Sequence, residues 1–312
     1  MWAIMVNKEN NIKAKGRKST FAEYHPIVQF VCYLSVLTGA MFFRQPILTS
    51  ISFLSALLYA VHIGRSKTLH IILIYMVPMF AAVSLLNPMF NHAGVTILTY
   101  LPDGNPLTME SMVFGIVSAL MFSAVILWCM SMHCIITSDR VIYLFGKAAP
   151  KLGLLISMIM RFIPKLSFQF RQIRMARHCM GRDITDGNLI KRISHAVRIF
   201  SAVLQWAMEN AIDTADSLKS RGYGLPHRTS YSLFRFEKRD GALLTLVLLW
   251  DTAIGILWSY GFADFDYYPV ISTIHMEIPE AVMYTFYTVL CFVPLITDKI
   301  GDRKWNSFKL IN

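Results

Sequence analysis

The run Met109–Cys134, MESMVFGIVSALMFSAVILWCMSMHC, contains Glu110 as its one acid and no Lys or Arg. A helix needs roughly 20 apolar residues to cross a hydrocarbon core of about 30 Å, so this stretch reads as a membrane span. Five further apolar runs read the same way: Pro26–Phe43, Ile47–Ile63, Leu69–Asn87, Gly241–Tyr260 and Ala281–Leu295. The expectation is an all-α integral membrane protein with about six transmembrane helices. Composition agrees, because 55% of the 312 residues are hydrophobic and only 16% are charged, against about a quarter charged in soluble domains. That apolar content excludes a disordered chain. The five cysteines (Cys32, Cys129, Cys134, Cys179, Cys291) lack framework spacing, which excludes a disulfide scaffold.

Charge orients the spans. Pro88–Thr108 and Gly261–Glu280 contain no Lys or Arg, and the second carries Asp264, Asp266, Glu277 and Glu280. Residues 1–25 are polar and basic (Lys8, Lys13, Lys15, Arg17, Lys18), without the apolar core of a signal peptide. With both termini in the cytoplasm, every Lys and Arg but Arg44 lies on the cytoplasmic side or its interface, as the positive-inside rule asks. The net charge of +11 therefore reads as membrane charge asymmetry, not as nucleic-acid binding. The expected organisation is a basic tail (1–25), spans one to four with a turn at Gly64–Thr68 (26–137), a cytoplasmic insert (138–240), spans five and six (241–296), and a cytoplasmic tail (297–312).

The insert is too long for a connector. Pro150–Pro164 holds a short apolar segment broken by Arg161, which reads as interfacial or re-entrant. Beyond it, proline is absent from Lys165 to Leu225, and glycines punctuate two helices, Lys165–Met180 and Asn188–Arg221, with Asp186 or Asn188 as the cap of the second. Ile190, Ile193, Val197, Phe200, Leu204, Ala207, Ala211, Ala215 and Leu218 recur at three- and four-residue steps. Such a stripe is expected to pack on the membrane-proximal core. The helix ends in Lys219-Ser220-Arg221-Gly222, where glycine supplies a left-handed cap and arginine complements the dipole.

Ser220-Arg221-Gly222, its extension Tyr223-Gly224-Leu225-Pro226-His227-Arg228-Thr229-Ser230-Tyr231, and the preceding Glu209–Ser217 resemble the transmembrane T component of energy-coupling factor (ECF) transporters, the EcfT/CbiQ-like family. Asn87–His92 and Leu101–Thr108 look like family sequence too. The family carries two Ala-Arg-Gly-type motifs at the ends of two cytoplasmic coupling helices. Ser220, Arg221 and Gly222 match the second. At the first, Cys179, Met180 and Gly181 stand where Ala-Arg-Gly is expected, so Met180 replaces the arginine while Arg177 and Arg182 flank it. The resemblance implies a non-enzymatic scaffold and energy-coupling subunit in a prokaryotic cell membrane. Its implied partners are two cytoplasmic ATPase subunits and a small membrane substrate-binding (S) component, for uptake of a vitamin or metal ion. It implies no cofactor or metal of its own.

The residues accord with this. Gly146-Lys147 is followed by Ala148 and is no phosphate-binding loop, so nucleotide-driven work must arrive through a partner. Cys129, His133 and Cys134 lack zinc-site spacing, and Asn91-His92 reads as a hydrogen-bonded loop. The eighteen methionines are dispersed as packing. Asp251 within a span reads as a structural hydrogen-bond partner. A secondary transporter would show repeats and broken midplane helices, and a lipid-phosphate enzyme would show a second acidic pair beside Asp213 and Asp216.

Overall fold

The structure, a computed structural model, describes residues 19–100, 105–148, 150–181, 188–223, 234–272 and 278–311. Nine α-helices are described: α1 (Pro26–Phe42), α2 (Pro46–Ile71), α3 (Val77–Phe90), α4 (Met109–Ile135), α5 (Ser138–Ala148), α6 (Pro150–Cys179), α7 (Leu189–Ser220), α8 (Lys238–Ser259) and α9 (Ile278–Ile311). A short hairpin, β1 (Ile97–Tyr100) and β2 (Pro106–Thr108), pairs antiparallel with Tyr100 opposite Pro106. This is an all-α membrane protein. Pro46–Gly64, Met109–Ile135, Leu152–Cys179, Lys238–Ser259 and Ile278–Arg303 are long and apolar enough to cross a bilayer, while Pro26–Phe42 and Ile74–Phe90 are apolar but shorter.

Three sequence readings need correction. No turn forms at Gly64–Thr68: α2 continues to Ile71, and the winding changes only in a π-helical stretch, Ile72–Met76. A lone glycine costs a helix only about 1 kcal/mol, too little to end it. Likewise α6 runs unbroken through Pro164, merging the expected interfacial segment with the first coupling helix. Proline removes one helical hydrogen bond, and the Leu, Met, Gln and Arg on either side are strong helix formers. The merged helix thereby reaches spanning length. Finally, α9 passes through Pro294 to Ile311 and does not stop near Leu295.

The chain divides into two compact units, residues 1–140 with 234–312, and residues 141–233. In the larger unit α4 packs against α1, α2 and α3, and α9 against α2 and α8. Trp128 on α4 is fully buried; its ring meets Tyr33 edge-on at 6.2 Å, and its Nε1 donates to Ser52 Oγ at 3.3 Å. Gly39 permits a close helix contact, since a Cβ there would lie 2.5 Å from the Tyr287 ring. In α8, Asp251 accepts a short hydrogen bond from Ser35 on α1, the structural role expected of it.

Polar ties close both ends of this unit. At the hairpin end the buried Glu110 carboxylate accepts from Thr96 N and Oγ1, Thr108 Oγ1 caps α4 at Ser111 N, and Asn91 donates to Tyr268 Oη at 2.9 Å. The Asn91 reading as a hydrogen-bonded loop residue is thus the one observed. At the opposite end Ser19–His25, expected as part of a tail, is packed instead. Phe21 is wholly buried, its N–H donates to Asp298 Oδ1 at 2.6 Å, and Ser19 Oγ donates to the same carboxylate at 2.8 Å. Thr20 lies against Gly301 so closely that a Cβ there would collide with it.

Candidate functional site

The smaller unit is built on α6 and α7, which pack against each other. Asn188 caps α7, its Oδ1 accepting from Leu189 N at 3.1 Å. Phe162 on α6 stacks on Trp206 of α7 with centroids 6.0 Å apart and planes 9° from parallel. Ile199 and Val203 are buried beside that stack on the same helix.

The apolar stripe expected to be covered is open: Ile190 is 79% exposed, Phe200 64% and Leu204 50%. The helix carries two apolar faces, and the one holding Ile199, Val203 and Trp206 makes the packing. Periodicity marked the wider face, but a 3.6-residue repeat does not say which face meets a neighbour. The facing helix is similarly open at Leu152, Leu155 and Ile159.

Both helices end in the same way. Beyond α7, Gly222 has φ +74°, its N–H donates to Lys219 O at 3.0 Å, and Tyr223 N donates to Leu218 O at 3.0 Å. These paired bonds form a Schellman motif, with Arg221 as the residue capping the helix. Beyond α6, Gly181 has φ +65° and its N–H donates to His178 O at 3.0 Å. Met180 therefore precedes a left-handed glycine, as Arg221 does. Tyr223, read from the sequence as the first residue of the motif's extension, completes the Schellman motif with its amide.

The two tips differ chemically. Arg221, Ser220, Cys179 and Met180 are exposed. Among the described residues Arg221 has no acidic partner, whereas the neighbouring Lys219 lies 3.9 Å from Asp216 in a solvent-exposed pair worth little. Ser220 Oγ turns back to Ser217 O at 2.9 Å. At the first tip the capping position presents a thioether. Arg177 is half-buried and its Nη1 is enclosed with no hydrogen-bond partner among the described residues, so it is not displayed as Arg221 is. Arg182, the other candidate for the missing charge, lies outside the described residues, as do Gly224–Tyr231 of the motif extension. One tip is thus a guanidinium on a Schellman cap, the other an apolar knob before a left-handed glycine.

Residues 18–231, which include both tips, match the family CbiQ, cobalt transport protein. The chain belongs to this family. Among relatives of this CbiQ-family chain, the energy-coupling factor transporter transmembrane protein EcfT of Lactococcus lactis subsp. cremoris is 34% identical over 110 residues, 35% of this chain and 41% of that one. The EcfT of Lactobacillus helveticus is 33% identical over 107 residues, 34% of this chain and 39% of that one. That of Streptococcus equi subsp. equi is 29% identical over 106 residues, 34% and 39% respectively. The match with this CbiQ-family member spans about two fifths of the relatives' length.

Proposed function

We propose that this protein is the scaffold and energy-coupling subunit of an ECF-type importer, in a prokaryotic cell membrane with both termini in the cytoplasm. The observation that carries the reading is the exposed Arg221 on a Schellman-capped tip, without an acidic partner among the described residues. A planar guanidinium held there is preorganised to bridge carboxylates or carbonyls on another protein, so little entropy is lost on docking. Two separate tips suit two cytoplasmic ATPase subunits, which hydrolyse the ATP; this chain performs no catalysis. The first tip, Cys179-Met180-Gly181, docks by apolar contact and the second, Ser220-Arg221-Gly222, by charge. The open stripe from Ile190 to Leu204 suits a small membrane S component that binds the cargo, a vitamin or metal ion, and holds it by shape and apolar contact. Charge order along α7 fits a partner as well. Lys191, Arg192 and Arg198 stand toward its start and Glu209, Asp213 and Asp216 toward its end, the reverse of what the helix dipole favours.

The test is affinity purification of the tagged chain from its native membrane in mild detergent, with identification of copurifying chains. Two nucleotide-binding ATPases and a small apolar membrane protein are expected with wild type. Arg221→Glu should remain inserted and lose the ATPases. Recovery of the wild-type chain alone from several detergents would overturn the proposal.

A further inference from the structure

Helix α4 ends at Ile135 and α5 begins at Ser138, leaving Ile136 and Thr137 as the link. A link this short acts as a hinge, since φ/ψ changes at a few positions redirect the following helix. Arg140 stitches across it. Its Nη1 donates to Ile135 O at 2.6 Å and to Gln29 Oε1 at 2.9 Å, and its Nη2 donates to Ala22 O at 2.5 Å. Gln29 is itself held, its Nε2 donating to Phe21 O at 2.9 Å and Tyr24 O at 2.8 Å. One guanidinium thereby joins the end of α4, the start of α5, α1 and the packed Ser19–His25 segment, which Asp298 fastens to α9.

The chemistry explains why arginine stands there. Three directed bonds from one side chain need a planar fork, which lysine lacks. A cation also complements the negative end of α4, where carbonyls lack helical partners. Burial lowers the Arg140 pKa, yet an arginine side chain stays charged in proteins. At the other end of α5, Gly146 meets Gly153 of α6 backbone to backbone, so closely that a Cβ on Gly153 would collide with it. The 11-residue α5 is about 16 Å long.

We infer that Arg140 is a positioning residue that locks the α4–α5 link and so keeps the start of α5 from swinging away from α1 and Ser19–His25 by a bend at Ile136–Thr137. The inference does not depend on the function proposed above.

Amide hydrogen exchange on the purified full chain in detergent reads the lock. In Arg140→Gln the amides of Phe21 and His25 and the first turn of α5 should exchange at least about tenfold faster, the loss expected for one charged hydrogen-bonding group. The β1–β2 hairpin should be unchanged, and Arg140→Lys should be intermediate. Wild-type protection in Arg140→Gln would overturn the inference.

Should Arg140→Gln fail to accumulate, Ala22→Cys/Arg140→Cys, with the exposed Cys129, Cys134 and Cys179 changed to serine, carries the same readout. Bridging that pair with a short bis-maleimide should restore protection, and failure to restore it would overturn the inference.

Discussion

Exchanging the capping residues between the two tips is the sharpest probe of the proposed docking. Arg221→Met turns the second tip into a copy of the first, and Met180→Arg does the reverse. Both positions precede a left-handed glycine, Gly222 at φ +74° and Gly181 at φ +65°, so neither substitution asks the backbone to move. Arg221 is exposed and lacks an acidic partner among the described residues, so folding stability should change by at most about 1 kcal/mol, the value of a cation at a helix C-terminus. Docking should change far more. A hydrogen bond to a charged group contributes about 1.5–3 kcal/mol, which corresponds to about 10- to 140-fold in affinity. Arg221→Met should therefore weaken ATPase binding by that factor at unchanged thermal stability, and Met180→Arg with Arg221 retained should alter binding at the first tip alone. The assay is titration of purified ATPase subunits onto the chain held in nanodiscs, with a melting curve on the same sample. Binding of Arg221→Met within twofold of wild type, at equal melting temperature, would refute the argument.

Other expectations follow from the packing. Gly222→Ala places a Cβ in the left-handed region at a cost of about 1–2 kcal/mol, so amides of Ser217–Tyr223 should exchange faster while α8 does not; equal protection would contradict the cap. Asp298→Ala strips the acceptor from Phe21 N and Ser19 Oγ and should destabilise the larger unit by about 1–3 kcal/mol, read as a lower melting temperature that Asp298→Asn partly restores. Gly39→Ala drives a Cβ into the Tyr287 ring; the clash should cost about 1–3 kcal/mol, and Tyr287→Leu in the same chain should relieve it. Phe162→Ala removes the stacked partner of the half-buried Trp206 and should loosen α6 from α7 by about 0.5–1.5 kcal/mol, visible as a shift in Trp206 fluorescence.

Several elements were legible before any coordinates because their signals are local. Met109–Ile135 announces itself by a long run almost free of charge. Gly181 and Gly222 mark helix ends because glycine alone enters the left-handed region cheaply. Arg221 stood out for the company it keeps in sequence. What misled was also local: Pro164 and Gly64 look like breaks, yet each weakens a helix by less than its neighbours support it.

By itself, then, the amino-acid order determined the all-α membrane class, the basic insert, and the two glycine-capped tips with arginine at one and methionine at the other. Each depends on solvation or backbone preference within a few turns of chain. Only the tertiary structure decided that Ile199, Val203 and Trp206, and not the Ile190–Leu204 stripe, face the neighbouring helix. The same holds for Ser19–His25 as a packed segment, and for Arg140 bridging Ile135, Gln29 and Ala22. Two of those contacts join residues more than a hundred positions apart, Ala22 with Arg140 and Ser19 with Asp298. A polar side chain near a helix end carries no mark of the distant carbonyl or carboxylate that burial obliges it to find.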